Sequence, residues 1–224
     1  MTTPREDILG TIRRSLGVSG RETPRTEIVA DRLGRAPNGV IPERGQVEGD
    51  DLVDLFTRQA EGALATVAIV DREADVPAAV AGFLRRHNLP ATARMGDDPR
   101  LLALPWSETA LEVSAGRSFG DDLNAVSHAF AGIGETGTLV MTSGHENPST
   151  LNFLPDNHIV VLRAGDLAGD METALGRVRQ RFGKGSMPRT VNFITGPSRS
   201  ADIEQTLLIG AHGPRRLHIV LVRD

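Results

Sequence analysis

From residue 51 onward the chain alternates between two apolar patterns that demand different partners. Leu52, Leu55, Phe56 and Ala60 in 51–62, and Val80, Phe83 and Leu84 in 76–87, recur at helical spacing. Between such segments lie short, near-continuous apolar runs at 63–70, 138–142, 158–163, 191–195 and 217–222. The first spacing puts one stripe on a helix. A run too short for a helix reads as a strand buried on both faces. Strands of that kind separated by helices need crossover connections. The pattern therefore predicts an α/β domain, a three-layer and mostly parallel sheet with helices against it. A further strand is expected at 127–133, a short extended piece at 89–94, two short strands around Pro105 and Trp106, and helices at 169–182 and 200–209.

The N-terminal region follows another rule. Ile8, Leu9, Ile12 and Leu16 predict one amphipathic helix over 5–16, whereas residues 17–50 are rich in Gly, Pro, Arg and Glu. So few large apolar side chains cannot bury enough surface to fold alone, which makes 17–50 a linker or wrapping arm. The expected division is 1–49, helix and arm, and 50–224, α/β domain. A formal net charge of -4 provides no general basic field, which argues against nucleic acid as a partner. The sequence has no cysteine, so disulfides, thiol nucleophiles and a cysteine-held iron-sulfur cluster are excluded from this chain. A redox role would need a partner to hold the metal. No apolar run approaches the roughly 20 residues that cross a bilayer, and residues 1–7 lack a signal core; a cytoplasmic protein with no membrane partner is expected.

Three loops after predicted strands carry groups suited to chemistry, because ligands of open α/β sheets gather beyond strand carboxyl ends. The first is Gly132-Ile-Gly-Glu-Thr-Gly-Thr138, where Gly134 and Gly137 let a ligand approach the main chain, Thr136 and Thr138 add hydroxyls, and Glu135 offers a base, nucleophile or anchor. The same residues suit a tight hairpin. The second, Thr195-Gly-Pro-Ser-Arg-Ser-Ala-Asp-Ile-Glu204, has Gly196, then Ser198 or Ser200 heading an expected helix with Asp202 and Glu204 in its first turn. That arrangement either caps a helix or holds an anion on its amides. The third, 210–216, brings His212 and Gly213 onto a turn, where the imidazole is a proton carrier or simply exposed. His128, His145 and His158 are scattered without close acidic partners, so no metal site is expected. No P-loop, dinucleotide fingerprint, hydrolase elbow or HExxH motif occurs.

Three blocks in order, GIGETGTLVM, LPDNHIVVL and TGPSRSADIEQTLLIGAHGPRRLHIVLV, resemble the LUD domain of the lactate-utilisation protein C family over roughly residues 50–224. The resemblance implies a fold akin to the sugar-phosphate isomerase and coenzyme A transferase superfamily. It also implies service beside iron-sulfur partner proteins that oxidise L-lactate to pyruvate. The family pattern falls on Glu135, Thr136, Gly137 and Thr138, then on Leu154, Pro155 and His158. It continues on Gly196, Pro197, Ser198, Asp202, Ile203 and Glu204, and ends on Gly210, His212, Gly213 and Pro214. A glutamate after a strand attacks the acyl group in transferases of that superfamily, and the resemblance would put Glu135 in a similar place.

Together these readings predict an accessory subunit that binds a small anionic ligand, a 2-hydroxy acid or a nucleotide-like cofactor. Glu135 and Thr136 would position it, Ser198 would take its negative end and His212 would move a proton. The alternatives are a free-standing isomerase or acyl transferase, and a scaffold whose N-terminal helix and arm clasp partners.

Overall fold

The computed structural model describes residues 3–200 and 208–223. It divides into two compact units, Met1–Val40 and Ile41–Asp224. The smaller unit holds α1 (Pro4–Leu16) and α2 (Thr23–Arg35). α1 opens with a reciprocal cap, in which the Thr3 hydroxyl accepts from the Glu6 amide and the Glu6 carboxylate accepts from the Thr3 amide. α2 lies within 17–50, the stretch read as a linker or wrapping arm, where the apolar pattern announced no helix. Pro24 starts it and Asp31 pairs with Arg35 one turn on, so local terms support a helix that overall composition concealed.

The larger unit runs α3 (Gly49–Gly62), β1 (Thr66–Val70), α4 (Val76–Arg86), β2 (Thr92–Met95), α5 (Pro99–Leu102), β3 (Glu112–Ala115) and β4 (Asn124–His128). Then follow β5 (Ala131–Ile133), β6 (Thr138–Thr142), α6 (Thr150–Phe153), β7 (Asn157–Arg163), β8 (Leu167–Ala168) and α7 (Met171–Phe182). β9 (Val191–Ile194), β10 (Arg199–Ser200), β11 (Leu208–Ile209) and β12 (Arg216–Val222) complete it. Six strands form one sheet in the order β1-β12-β7-β4-β2-β3, with every pairing parallel. The expected α/β architecture is present. A second sheet, β8-β5-β6-β9, adds a layer that the apolar pattern did not announce.

Alternation along the central strands explains how this sheet is covered. In β7, Ile159 and Val161 face α4, while Val160 and Leu162 face α3 and the second sheet. Val220 and Val222 of β12 join the first side, and Leu217, Ile219 and Leu221 the other. Beyond the second sheet, Ala174 and Val178 of α7 close a third cluster on Ile133 and Val140. Among the described residues no helix is long and apolar enough to cross a membrane.

Three expected elements differ. The strand expected at 127–133 is two strands in two sheets. The Ala129 amide still donates to Val161 of the parallel sheet, and the next amide, Phe130, donates to Val140 of the other. Ala129, Phe130 and Ala131, where the chain passes between the sheets, are all apolar, so periodicity carries no mark of the hand-over. Around Pro105 and Trp106 there is no strand; α5 and a single helical turn precede β3, anchored by the Trp106 indole donating to the Leu101 carbonyl at 2.6 Å. The helix expected at 200–209 conflicts with the antiparallel pairing of Arg199 with Ile209 and Ser200 with Leu208. Residues 201–207, including Asp202, Ile203 and Glu204, lie outside the described residues.

Candidate functional site

The chain leaves β2 and β4, which are neighbours in the parallel sheet, toward opposite faces. The segment after β2 packs Leu101 and Trp106 on the α4 side, whereas the segment after β4 enters the second sheet on the α3 side. Divergence of that kind opens a crevice beyond the carboxyl ends of the strands, the usual ligand position of open α/β sheets. A cavity of about 600 Å³ lies there. The loop after β6 crosses above it so closely that a side chain on Gly96 would meet the Glu146 carbonyl at 2.0 Å.

Its polar groups are held in place by the fold. Asp98 is 1% exposed; it caps α5 by accepting from the Arg100 amide and grips the Arg100 guanidinium through both oxygens, at 3.0 and 2.6 Å. Burial alone would raise the Asp98 pKa, but the hydrogen bonds and charge of Arg100 outweigh it and hold the carboxyl below its usual range. His128, at the end of β4, is 5% exposed. Its Nδ1 lies 2.8 Å from the Ala129 carbonyl, which can only accept, so Nδ1 carries the proton and Nε2 a lone pair. Burial, reinforced by the nearby Arg100 charge, pushes the imidazole pKa down and keeps the ring neutral. That buried Nε2 has no hydrogen-bond partner, and neither has the buried Oδ1 of Asn147. Arg181, Asp166 and Glu146 complete the polar lining, and Phe130 and Phe182 are the apolar part. The crevice thus offers guanidinium groups for an anion together with acceptors that require donors. Among the described residues no cluster of three or more His, Asp or Glu is placed to hold a metal ion.

The residues singled out in the sequence lie elsewhere. Glu135 sits in the turn between β5 and β6, and the hairpin reading of 132–138 describes the backbone found there. Its carboxylate is 6% exposed; Oε1 accepts from the Met171 amide at the start of α7, and Oε2 lies 4.0 Å from Arg44. It serves a helix N-terminus and lines neither the crevice nor the hollow described next. Gly137 belongs to packing as well: a side chain there would meet the Ala60 amide at 2.2 Å, and its φ of 63° is left-handed. Gly134 lies under Leu52. Thr136 and Thr138 form a hydroxyl ladder that runs to Thr195, with steps of 2.7 and 2.6 Å.

The structure does bring Gly196, Ser198, His212 and Gly213 together, around a hollow of about 260 Å³. The Ser198 amide donates to the Pro214 carbonyl, and the Ser198 hydroxyl accepts from the His212 amide at 3.3 Å. His158 and Leu217, near the starts of β7 and β12, line the same hollow, so it opens at the amino end of the parallel sheet. The expectation of a carboxyl-end position fails for these loops because β9 belongs to the second sheet, where it runs antiparallel to β6. Asp98, Arg100, His128, Asn147 and Arg181 were not selected from sequence. The available signals are the Gly-Asp-Asp-Pro-Arg run directly after β2 and a histidine between the apolar pairs Ala125-Val126 and Ala129-Phe130.

Comparison with known proteins places this geometry in a family. A lactate utilization protein C from Geobacillus kaustophilus (strain HTA426) is 31% identical over 231 residues, covering 88% of this chain and 94% of that one. The chain belongs to the lactate utilization protein C family. A second member, from Geobacillus thermodenitrificans (strain NG80-2), is 34% identical over 57% of this chain and 61% of its own. The LUD domain profile matches residues 124–222, from the first residue of β4 to the last of β12. The match includes His128, Asn147 and Arg181 of the crevice but stops short of Asp98 and Arg100. A crystal structure of a DUF162 family protein from Deinococcus radiodurans superposes with a TM-score of 0.59 at 21% identity, over 79% of this chain and 99% of that one, and shares the fold.

Proposed function

We propose that this family member serves lactate utilization, as the name of its relatives states, by binding a hydroxylated anionic ligand of nucleotide or cofactor size in the crevice. The supporting observation is the pairing of an oriented guanidinium, Arg100, with a neutral His128 whose acceptor nitrogen is unpartnered. Size favours the larger ligand: pockets of roughly 300–1,000 Å³ suit molecules well beyond a three-carbon acid. The lining chemistry points the same way. Arg100 and Arg181 would take phosphate or carboxylate oxygens, while His128 Nε2, Asn147 Oδ1, Asp166 and Glu146 would accept from hydroxyl or amino groups of the same molecule. In this reading the chain is an accessory subunit working in the cytoplasm beside iron-sulfur proteins. It has no thiolate to hold a cluster, so the electrons of lactate oxidation would pass through its partners.

Thermal-shift measurements with lactate, coenzyme A and adenine nucleotides separate the possibilities. A nucleotide or coenzyme A should raise the melting temperature of the wild type, and Arg100→Met should lose that response. The substitution leaves Asp98 buried without its cation, which costs about 3 kcal/mol at neutral pH, so each protein is compared with its own ligand-free baseline. A response confined to lactate would refute the size assignment. A response retained in Arg100→Met would move the site away from the crevice.

A further inference from the structure

The amino-end hollow contains a set of buried polar atoms that the fold leaves unsatisfied. Asn152, on α6, is 1% exposed, and neither its Nδ2 nor its Oδ1 has a hydrogen-bond partner. Beside it in the lining is His158, also 1% exposed. Its Nε2 lies 3.0 Å from the Ser127 hydroxyl, and its buried Nδ1 is unpartnered. An amide left without partners in the interior destabilises the fold, and an apolar side chain of the same shape would avoid that cost. The rest of the wall is largely apolar, formed by Phe153, Phe193, Ile194, Pro197, Pro214 and Leu217.

We propose that this hollow is a second binding site, for a planar, uncharged heterocycle that presents a hydrogen-bond donor and acceptor side by side, as a nucleobase or a nicotinamide-type ring does. Each component follows from a named group. The Asn152 amide has one acceptor and one donor to match, and His158 Nδ1 adopts either role according to its tautomer. Neutrality follows from the surroundings: burial holds His158 uncharged, pushing its pKa down to about 3, so nothing in the depth of the hollow compensates a charge. The flat apolar walls suit a ring. The volume admits one, since about 150 Å³ is enough for benzene and this hollow is larger. Arg199 and His212, both exposed, stand at the lining and leave the outer part polar. The site lies at the other end of the sheet from the crevice and does not depend on the function proposed for it.

Titration calorimetry on the full chain with nicotinamide, uracil and adenine, using benzyl alcohol as a ring without the paired edge, tests the proposal. At least one heterocycle should bind more tightly than benzyl alcohol, and the one that binds reports whether the natural group is a base or a nicotinamide. Asn152→Leu should weaken that binding tenfold or more while melting at the wild-type temperature or above. Phe193→Ala, on the partly exposed wall, should weaken it by a smaller factor, and Arg100→Met should leave it unchanged. Absence of binding to all three heterocycles, or equal binding by Asn152→Leu, overturns the proposal. So does an Asn152→Leu protein that melts well below wild type, because the amide would then be holding the fold.

Discussion

The two ends of the six-stranded sheet are made from the same strands, yet they treat polar groups in opposite ways. At the amino end the strand starts are tied mostly by side-chain amides, beside one ion pair, Arg94 with Asp122 at 3.1 Å. Asn124 donates to the carbonyls of Pro90 and Thr92, and Asn157 donates to Leu123 and to the Asn124 side chain. Arg216 then donates to Asn157 at 3.1 Å. At the carboxyl end the connections diverge, and the polar groups are a gripped ion pair, Asp98 with Arg100, and a buried histidine. The difference lies in what faces the hollow at each end. Connections that part to opposite faces leave a solvent-reaching crevice in which a guanidinium stays partly hydrated. The amino-end hollow is walled by apolar loops, and its deep polar groups are uncharged.

The hairpin of Glu135 and Gly137 belongs to neither end, and the largest expected effect tests that separation. Gly137→Ala forces a left-handed backbone onto a residue with a side chain and drives that side chain into the Ala60 backbone. A loss of about 3 kcal/mol in urea unfolding is expected, with ligand responses at both ends intact. Near-wild-type stability combined with a lost ligand response would restore the hairpin to a site.

An effect that is smaller per residue separates the ends by pH. His158 and His218, both in the first three residues of their strands, are neutral in the fold, with pKa values lowered to about 3 and about 4, by burial above all. The unfolded chain takes up their protons near pH 6.5, so their contribution is complete above that value and is lost as pH falls toward the folded values. Each should remove on the order of 1 kcal/mol of stability per pH unit between about pH 6 and 4.5. His128 adds the same sign from the crevice. Asp98, with its lowered pKa, gives way only at lower pH, as its carboxylate protonates and releases Arg100. His218→Phe keeps an aromatic ring against Phe83, on which the imidazole stacks at 4.3 Å, and should remove one proton from the slope. Urea midpoints that stay flat from pH 6.5 to 4.5 would contradict the burial assigned to these rings.

The smallest effect concerns Glu135. Glu135→Gln retains an acceptor for the Met171 amide and loses only a negative charge at the start of α7, worth about 0.3–1 kcal/mol. Calorimetry and thermal shift with ligands of either end should match wild type. A clear loss of binding would mean that the carboxylate reaches a ligand after all.

Much of the architecture was legible because the signals for single elements are local. The stripe of Leu52, Leu55, Phe56 and Ala60, and the apolar run of 158–163, announce α3 and β7 without knowledge of their neighbours. The family blocks were legible as well, and they mark Ser198, His212 and Gly213, which do meet. The crevice was not legible, because it depends on β2 lying beside β4 although about thirty residues separate them in the chain. Nor could local pattern show that an apolar stretch passes from one sheet to another at Ala129 and Phe130.

The sequence by itself determined most helices and strands of the large sheet, α3, α4, β1, β7 and β12 among them, that the sheet would be largely parallel, and that no cysteine is present to bind a cluster. Those properties follow from spacing and composition within a few residues. Only the tertiary structure decided that β9 joins the second sheet, that Glu135 caps a helix, and that Asp98, Arg100 and His128 share one crevice. Strand order and loop convergence are set by pairing and packing between residues far apart in the chain, and no short window of sequence contains that information.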